Sequence, residues 1–481
     1  MKNLTLENIT KVCNGIYHGP QEKLQEEVTA ITTDSRKVEK GGLFVPVVGE
    51  RVDAHRFIPQ VMEAGALATL SERTLEGADH PYIQVGSSLQ AVKDIAEFYL
   101  EQLDIPVVGI TGSVGKTSTK EVIASVLKEK YRTLKTQGNF NNELGLPLTV
   151  FRLRDEDEIA VLEMGISDFG EMTRLAKIAK PDTCVITNIG TCHLENLGDR
   201  DGVLKAKTEI FQYVKKNIVL NGDDDKLSTV KEYNGMQPVF FGNGENASVT
   251  CENVESRGLK GMSCDICLKG KMAENGELQT FHVDIPMPGR HMVYNALAAI
   301  AICRHFKVDE EAIKKALLQA KVKGRIEMIK VSDQFTLLID YAHNAMALES
   351  LLTTLREYEP HRLVSLFGCG GNRSRQRRFE MGEVSGRLAD LTIITSDNPR
   401  FEEPQDIIND IKTGMAKTDG KYVEIPDRKE AIAYAIHHGE PGDIIVLAGK
   451  GHEDYQEIKG KKYPMDERVL IREILEEDQK A

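Results

Sequence analysis

Residues 107–119 read Val107-Val108-Gly109-Ile110-Thr111-Gly112-Ser113-Val114-Gly115-Lys116-Thr117-Ser118-Thr119. The β-branched run predicts a strand, the glycines predict a turn, and the residues that follow open a helical pattern through Val122 and Val126. Such a turn lets backbone N–H groups approach a polyphosphate, and the helix N-terminus adds partial positive charge. Lys116 can then reach the terminal phosphates, and Thr117 can ligate Mg²⁺. The stretch therefore predicts a loop that binds ATP or GTP.

The glycine spacing of this loop is looser than the general phosphate-loop pattern. That pattern has four residues between its glycines and would need glycine at position 110, where the chain has Ile110. A glycine-rich turn that binds no ligand is the alternative. Because strand, loop, Lys-Thr pair and helix occur in the required order, the sequence favours a phosphate-binding loop.

Length and charge limit the kinds of protein that this chain can be. Its 481 residues are too many for one hydrophobic core, so roughly two to four domains are expected. The hydrophobic fraction of 41% and the charged fraction of 28% are ordinary for a globular protein. The net charge of −13 argues against a nucleic-acid partner, because such binding needs a basic face.

The cysteines and the hydropathy favour the cytoplasm. Eight cysteines are scattered over the chain, with no signal peptide and no apolar run of about 18 residues. We therefore expect a reduced, cytoplasmic protein without membrane insertion. Cys264-Asp265-Ile266-Cys267 has the spacing of metal ligands, but no second such pair follows. Two strand cysteines that face opposite ways are favoured over a zinc site.

The region from about residue 105 to 325 alternates predicted strands and helices. This order indicates a largely parallel sheet with the phosphate loop at its first crossover. One buried-strand run ends in Glu163, an acid placed to hold Mg²⁺ beside the loop. The next strand leads to His193, a second ligand candidate, although a solvated acid and a structural histidine are the alternatives. The residues alone predict that Lys205 and Lys207 are solvated charges.

Polar clusters lie on predicted loops within residues 1–103, which mix short strands and helices. The first cluster contains Asp34, Ser35 and Arg36, and the second ends at His55. Such groups together suit a hydroxyl-rich or phosphorylated ligand. Each cluster taken singly is more typical of a solvated turn.

Three further polar clusters follow predicted strands in the last third of the chain, at 368–373, 396–400 and 448–453. Open α/β sheets bind ligands at the carboxyl ends of their strands. There Arg373 and Arg400 could hold the carboxylates of an amino acid while Glu453 holds its ammonium. Surface salt bridges are the alternative.

The ordered motifs resemble those of the Mur ligases. The motifs are Thr-Gly-Ser-Val-Gly-Lys-Thr, Glu-Met-Gly, Asn-Ile-Gly-x-x-His-Leu-Glu, Lys-x-Glu-Ile-Phe, Gly-Arg-x-x-x-Tyr-Asn-Ala, Asp-Tyr-Ala-His, Asp-Asn-Pro-Arg and Gly-Lys-Gly-His-Glu. They cover essentially the whole chain. The resemblance implies an α/β protein of three-domain Mur ligase architecture. A UDP-binding domain is expected at 1–103, a central P-loop ATPase domain at 104–327, and a Rossmann-like amino-acid-binding domain at 328–481.

The resemblance also implies a reaction. Mur ligases are ATP-dependent, ADP-forming enzymes of peptidoglycan synthesis that add amino acids to UDP-N-acetylmuramoyl (UDP-MurNAc) peptides. An acceptor carboxylate takes the γ-phosphate of ATP, and the incoming amine attacks the acyl phosphate through a tetrahedral intermediate. We therefore expect a cytoplasmic monomer whose partners are a UDP-MurNAc-peptide and an amino acid or dipeptide.

Functional positions of the family carry over onto this chain residue by residue. The expected catalytic residues are Lys116, His193, Lys207 and Arg325. Nucleotide contacts are expected from Gly112, Ser113, Gly115, Lys116, Thr117, Ser118, Asn295, Arg325 and Asp340. Mg²⁺ is expected on Thr117, Glu163, His193 and Lys207, the last of which matches a lysine that the family carries as a carbamate. The expected substrate-binding residues are Asp34, Ser35, Arg36, His55, Asn139, Asn142, Arg373, Asp397, Asn398, Arg400, Gly449 and Glu453.

The two parts of the chain resemble different members of the family. The first two thirds, above all residues 138–147, resemble ligases that add D-Ala-D-Ala, whereas Asp397-Asn398-Pro399-Arg400 resembles a signature for meso-diaminopimelate. Diaminopimelate enzymes usually read Gly-Asp-Arg-Asp and then Lys-Arg-Pro. This chain has Gly371-Asn372-Arg373-Ser374 and Arg377-Arg378-Phe379, so two acids are lost and the basic cluster grows. These departures predict an altered side-chain pocket.

A second carboxylate on the donor calls for an arginine such as Arg400. We therefore expect addition of meso-diaminopimelate to UDP-MurNAc-L-Ala-D-Glu. Transfer of D-Ala-D-Ala to the UDP-MurNAc-tripeptide is the first alternative. A non-catalytic or partner-dependent Mur-ligase-like protein is the second. The residues that argue against it are Lys116, Glu163, His193 and Lys207.

Overall fold

The structure is a computed structural model that describes residues 1–49 and 52–480. The chain folds into two compact units. Unit 1 comprises Met1–Glu255, Ser263–Ile285 and His291–Ala320, and unit 2 comprises Ser256–Met262, Pro286–Arg290 and Lys321–Ala481. The domain boundaries expected at 103/104 and 327/328 stay predictions. Within the described ranges, no helix combines the length and the apolar character needed to cross a membrane.

Unit 1 contains a small sheet near its N-terminus. Its strands are β1 (Ile16–His18), β2 (Ile31–Thr32), β3 (Leu43–Phe44), β4 (Ala68–Ser71) and β5 (Tyr82–Gln84), in the spatial order β1-β5-β4-β3-β2. Only β1 runs antiparallel to its neighbour within the described part of this sheet. The helices are α1 (Leu6–Val12), α2 (Ile58–Glu63) and α3 (Ser88–Leu103). Helix α3 begins where the Ser87 side chain accepts the N–H of Gln90, which satisfies a free helix-end donor.

The larger sheet of unit 1 carries the phosphate loop. Its strands are β6 (Val107–Thr111), β7 (Thr133–Lys135), β8 (Ile159–Glu163), β9 (Thr183–Ile186), β10 (Asn217–Asn221), β11 (Val239–Phe241), β12 (Val249–Ser256), β13 (Met262–Leu268) and β14 (Gln279–Ile285). Their order is β14-β13-β12-β11-β10-β9-β6-β8-β7, and the neighbours from β7 to β12 are parallel. Strands β11 to β14 lie at one end of the sheet. The helices are α4 (Lys116–Leu127), α5 (Gly145–Val150), α6 (Glu171–Ala179), α7 (Leu194–Leu197), α8 (Arg200–Thr208), α9 (Arg290–His305) and α10 (Glu310–Gln319).

Strand β6 lies between β8 and β9, and this position gathers the predicted site. All five residues of β6 are buried, as expected for an apolar strand covered on both faces. Ile110 pairs with Glu163 on one side, and Thr111 pairs with Ile186 on the other. Because the three strands are parallel and in register, the phosphate loop, Glu163 and the segment that leads to His193 leave the sheet at one edge.

Unit 2 is built on a second, mainly parallel sheet. Its strands are β15 (Glu327–Ile329), β16 (Thr336–Asp340), β17 (Leu363–Phe367), β18 (Leu391–Ile394), β19 (Tyr422–Glu424) and β20 (Ile444–Ala448), in the order β15-β16-β20-β17-β18-β19. Successive residues of a strand point to opposite faces of the sheet, so they pack into different hydrophobic cores. One core contains Leu338 and Phe367, and the other contains Leu337, Ile339 and Val364. The helices are α11 (Ala345–Arg356), α12 (Arg375–Leu388), α13 (Pro404–Met415), α14 (Arg428–His437) and α15 (Glu467–Asp478). Strands β21 (Tyr455–Ile458) and β22 (Lys461–Pro464) form an antiparallel hairpin.

Candidate active site

The phosphate loop is held in shape by the segment that follows β9. Gly112 has φ +148°, and a Cβ atom there would lie 1.9 Å from the hydroxyl oxygen of Thr187, so a side chain cannot fit. The N–H groups of Ser113 and Val114 each donate to Asn188 at 3.0 Å. Gly115, at φ +81°, turns the chain into helix α4. The loop therefore has a defined shape before any ligand arrives.

Lys116 is the residue of this loop predicted to bind the terminal phosphates, and Thr117 is the one predicted to ligate Mg²⁺. The ammonium of Lys116 donates to the carbonyls of Gly112 and Ser113 at 2.9 and 3.2 Å, so it lies over the loop. The Thr117 hydroxyl donates to Glu163 Oε1 at 3.3 Å. Ser118, the next predicted contact, is buried on α4. A polyphosphate on the loop would thus meet a cation above it and a hydroxyl–carboxylate pair beside it.

Glu163 is buried and only partly satisfied. Its Oε1 accepts a hydrogen bond from Asn141 Nδ2 at 2.8 Å, while its Oε2 has no hydrogen-bond partner within the described residues. Lys120 Nζ lies 3.5 Å from this Oε2, and both side chains are at most 2% exposed. Neither Asn141 nor Lys120 was predicted from the sequence to belong to the site. Among the described residues, Oε2 therefore has the Lys120 charge but no hydrogen bond, and a buried carboxylate oxygen in this state beside a phosphate loop fits a bound cation.

His193 lies on the wall of a cavity of about 530 Å³ that Lys116, Asn141 and Asn142 also line. It is exposed, and its φ of +59° places it at the turn that begins α7. Across the described ranges there is no group of three or more His, Cys, Asp and Glu side chains able to hold a metal ion. Divalent cations here would therefore draw on Thr117, Glu163 and His193 with ligand oxygens from outside this set.

The amide-rich segment after β7 contributes unevenly to this cavity. Asn142 uses its side-chain oxygen to accept the Gly145 N–H at 2.7 Å, which caps the first turn of α5. Asn139 is exposed, and Asn141 reaches Glu163 instead. Of the two predicted asparagines, the structure brings Asn142 to the cavity wall.

Lys207 contradicts the prediction of a solvated charge, whereas Lys205 follows it. Lys207 lies on the face of α8 that also carries Val203 and Ala206, and it is 3% exposed. Burial, together with the positive charge of Lys116, lowers the pKa of the Lys207 amine from its ordinary value of 10.5 to about 7. The charge of one predicted catalytic lysine therefore acts on the other.

A second cavity of unit 1, about 330 Å³, opens beside α4. Asn295 lines it, and the Oδ1 of Asn295 accepts the hydroxyl of Thr119 at 3.0 Å. On another wall the Tyr294 hydroxyl donates to Asp223 at 2.7 Å. Its place next to the helix that follows the phosphate loop suits the nucleoside part of a nucleotide.

The substrate-binding residues predicted within residues 1–103 differ in how accessible their side chains are to a ligand. Arg36 is exposed and pairs with Asp34 through two bonds of 2.8 Å, and these bonds lower the pKa of the Asp34 carboxyl. Ser35 lies between them at intermediate exposure. His55 is buried, with Nδ1 2.6 Å from Asp53 and Nε2 accepting the Glu72 N–H at 3.1 Å. Both His55 nitrogens are thus engaged in holding the loop, whereas Arg36 presents its outer edge to solvent.

In unit 2, Tyr341 links predicted residues of different motifs. The Arg325 guanidinium lies 5.1 Å from the centre of the Tyr341 ring, and the Tyr341 hydroxyl is 3.4 Å from Glu453 Oε1. Asp340 accepts the N–H groups of Ile326 and Ala342 at 2.8 Å each, and burial raises the pKa of its carboxyl. The predicted phosphate-contacting arginine and the predicted ammonium ligand therefore belong to one neighbourhood.

Arg373 and Arg400 flank the same point of the β17 loop. A Cβ atom on Gly370 would lie 2.8 Å from Arg400 Nη1 and 3.8 Å from the Arg373 side chain. The hydrogen-bonded neighbours β17 and β18 end here, so the Arg373 side chain on the first loop and the Arg400 guanidinium on the second both approach Gly370. Two arginines on adjacent loops suit a ligand with carboxylate groups.

A buried lysine ties the other predicted donor contacts together. Lys450 Nζ donates to Asn398 Oδ1 at 3.0 Å and to Glu453 Oε2 at 2.8 Å. Burial alone would raise the pKa of the Glu453 carboxyl, but the charge and hydrogen bond of Lys450, together with the Asn398 hydrogen bond and the His452 charge, outweigh it, and the pKa lies below its usual value. Gly449 adopts φ +106°, with Asp397 Oδ2 3.1 Å from where its Cβ would be. Lys450 itself was not among the residues predicted from the sequence.

Arg378, one of the basic residues that depart from the diaminopimelate pattern, is buried in ion pairs. Its guanidinium is 1% exposed and binds both carboxylate oxygens of Glu402 at 2.8 Å and Asp410 at 3.0 Å. These bonds join α12 to α13. Arg378 therefore serves the packing of unit 2 and adds no free charge to the crevice.

The fold and the site define unit 1 as a P-loop α/β module with a buried carboxylate beside its loop. Unit 2 is an open, mainly parallel sheet with arginines at its strand ends. Family models match three consecutive regions: Mur ligase family, catalytic domain, at 27–100; Mur ligase middle domain at 110–303; and Mur ligase, glutamate ligase domain, at 324–451.

Individual proteins show the same likeness. A UDP-N-acetylmuramoyl-L-alanyl-D-glutamate–2,6-diaminopimelate ligase of Caldanaerobacter subterraneus is 30% identical over 98% of this chain and 100% of its own. A UDP-N-acetylmuramoyl-tripeptide–D-alanyl-D-alanine ligase of Bacillus subtilis is 40% identical over 71% of this chain and 72% of its own. A crystal structure of MurF from Acinetobacter baumannii aligns over 98% of both chains, with a TM-score of 0.78 and 26% identity. The chain belongs to the Mur ligase family, as its motifs predict, and this family is ATP-dependent.

Proposed function

We propose that this protein uses ATP to add meso-diaminopimelate to UDP-MurNAc-L-Ala-D-Glu. The observation that carries the choice of donor is the meeting of Arg373 and Arg400 around Gly370, with Glu453 among the same strand ends. Two guanidinium groups and a carboxylate match a donor with two carboxylates and an ammonium. The full-length likeness to a diaminopimelate ligase supports the same choice.

The nucleotide is assigned to unit 1. The phosphates would lie on the loop from Gly112 to Ser118, with Lys116 over their terminal oxygens, and the nucleoside would enter the cavity lined by Asn295. Thr117 and Glu163 would hold one Mg²⁺ and His193 a second, and these ions when bound supply positive charge against the phosphate oxygens.

The chain's own groups then favour phosphoryl transfer to the acceptor carboxylate. The bond that forms joins a carboxylate oxygen to the γ-phosphorus, and the bond that breaks releases ADP. Lys116 offsets negative charge on the transferring group, and Arg325 is assigned the same role. The donor amine then attacks the acyl carbon, and phosphate leaves. The cavity beside Lys116 and His193 gives the acceptor a place next to the loop.

We assign a carbamate to Lys207. A neutral amine adds to CO₂ by forming an N–C bond and releasing one proton, and the product is an anion. Lys207 is buried beside Lys116, and burial favours its neutral, reactive form. The resulting carboxylate-like group would add the oxygen ligands that the described side chains lack for a second cation.

The N-terminal contacts are proposed to hold the UDP end of the acceptor. Arg36 offers an exposed guanidinium edge with Ser35 and Asp34 beside it, and such an edge suits a diphosphate. His55 is assigned to the support of its loop, since both ring nitrogens already have protein partners. The proposal also places the protein in the cytoplasm, as a monomer with the domain bounds given above.

The second candidate is transfer of D-Ala-D-Ala to the UDP-MurNAc-tripeptide. The likenesses to the Bacillus subtilis ligase and to MurF favour it. A panel of two acceptors, dipeptide and tripeptide, against meso-diaminopimelate, L-lysine and D-Ala-D-Ala separates the candidates by phosphate release. We expect turnover with the dipeptide and meso-diaminopimelate. Turnover restricted to the tripeptide and D-Ala-D-Ala would replace our choice, and phosphate release without any donor would contradict both.

Arg400→Ala is expected to raise the KM for meso-diaminopimelate by about 10- to 150-fold, because a charge-assisted contact contributes about 1.5–3 kcal/mol. The KM for ATP should change little, since the nucleotide is assigned to unit 1. Steady-state kinetics with each substrate varied in turn measure both constants. Arg387→Ala, which removes an exposed arginine paired with Glu349, is the matched control. An unchanged donor KM would remove Arg400 from the site.

A further inference from the structure

We propose that Glu457, on β21, sets donor selectivity by competing with the donor's second carboxylate for Arg400. The inference rests on the proposed function, in which Arg400 holds that carboxylate. In the structure a protein carboxylate already takes one edge of this guanidinium: Arg400 Nε donates to Glu457 Oε2 at 3.1 Å. The hairpin that carries Glu457 thereby becomes part of the donor site.

The backbone fixes this pair, so the contact does not depend on two long side chains meeting by chance. The N–H of Arg400 donates to the carbonyl of Glu457 at 2.9 Å, and the Lys459 N–H returns a bond to the Arg400 carbonyl at 2.6 Å. The N–H of Glu457 also donates to Asn398 Oδ1 at 2.9 Å. Arg400 has φ +53°, a left-handed conformation that residues with a side chain rarely adopt. Strain of this kind is typical of functional sites.

Two nitrogen atoms of the Arg400 guanidinium already donate hydrogen bonds to the protein. Its Nη1 donates to the Gly371 carbonyl at 2.7 Å, and its Nε donates to Glu457. A carboxylate binds arginine best through two parallel N–H bonds, as on the edge formed by Nε and Nη2. A donor carboxylate can complete that fork only when Glu457 withdraws, and the two anions repel each other while both are near. With side-chain exposures of 21% and 25%, the pair is partly shielded from water but able to open.

Glu457 has a second cation to which it can turn. In the hairpin it pairs directly with Lys462, so the two side chains leave the same face. Lys462 Nζ now lies 3.8 Å from the centre of the Tyr455 ring. Glu457 can therefore exchange Arg400 for Lys462, and the balance between these partners sets how much of Arg400 a donor finds free.

Glu457→Gln tests this competition, because it removes the charge and keeps the size of the side chain. We expect the KM for meso-diaminopimelate to fall by about two- to tenfold, the range of a partly exposed charge interaction. Turnover of L-lysine, which has both amino groups but no second carboxylate, should stay within about twofold of wild type. Lys462→Met should raise the KM for meso-diaminopimelate, since Glu457 loses its other partner. Glu349→Gln, which breaks an exposed pair with Arg387, is the control.

The outcomes separate this inference from the function on which it rests. If wild type uses meso-diaminopimelate but Glu457→Gln leaves its KM unchanged or raises it, Glu457 orients Arg400 rather than competing for it, and the inference is wrong. If wild type uses D-Ala-D-Ala alone, the proposed function and the competition fail together. An equal change in the constants for L-lysine and meso-diaminopimelate would also overturn a role specific to the second carboxylate.

Discussion

Lys116→Met is expected to reduce ATP-dependent ligation by about 10²- to 10³-fold, the effect of removing one preorganised charge from a phosphoryl-transfer site. Lys116 lies over the loop, within 3.2 Å of two of its carbonyls, and these carbonyls would lose their ammonium donor as well. The same change should weaken ATP binding far more than AMP binding, because the ammonium faces the terminal phosphates. Calorimetric titration of the two nucleotides measures this difference without turnover.

The matched control for this substitution is Lys128→Met, which changes an exposed lysine at the other end of the same helix. It should leave nucleotide binding and ligation at the level of the wild type. Equal losses of ATP and AMP affinity in Lys116→Met would show that the loop had lost its shape. Wild-type ligation in that variant would mean that the phosphates lie elsewhere.

The local order of strand, loop and helix around Lys116 was predictable because it depends on neighbours in sequence. The glycines mark a turn, and β-branched residues mark the strand before it, so the predicted β6 and α4 are confirmed. The strand predicted to lead to His193 ends at Ile186, seven residues before it. Thr187 and Asn188 instead bind the phosphate loop, a contact between segments far apart in sequence.

The sequence did not predict which charged side chains are buried or which partners they meet. Lys120, Arg378 and Lys450 were either passed over or counted as surface charge, because lysine and arginine are rarely buried without a partner. Arg378 pairs with Glu402 and Asp410. Lys120 and Lys450 each combine a near partner, Glu121 and Glu453, with a distant one, Glu163 and Asn398. Which distant partner each base meets depends on how strands and helices pack, and no local pattern encodes it.

Lys207 is the instructive exception, since a local signal for its burial existed. Val203, Ala206 and Ile210 recur at helical spacing and are buried, and Lys207 falls on the same face. Lys205, two positions away, falls on the opposite side and is exposed. Helical phase alone therefore separates the two lysines, whereas composition treats them alike.

Lys207→Met is expected to make the protein more stable and almost inactive. The pKa of the buried amine is about 7, against 10.5 for an ordinary lysine. Between these values the unfolded chain binds more protons than the folded one, so wild-type stability rises with pH through this window. Below pH 7 the folded protein holds the amine in its charged form, and the desolvation of this charge lowers the free energy of unfolding by its full amount. The variant should therefore gain stability on the order of 2–4 kcal/mol near pH 6, and the gain should vanish towards pH 10.5.

Thermal unfolding in CO₂-free buffer from pH 6 to pH 10 measures this gain, with Lys205→Met as the control that should show none. Carbon dioxide must be excluded because the carbamate replaces the buried cation and would itself stabilise the wild type. Adding ¹³C-bicarbonate should give a carbamate signal in wild type that Lys207→Met lacks. Ligation should fall about 10²-fold or more in the variant, since an anion that holds metal charge near the phosphates is lost. A variant less stable than wild type at pH 6 would show that the charged amine carries no burial penalty, and a persistent ¹³C signal would place the carbamate on another lysine.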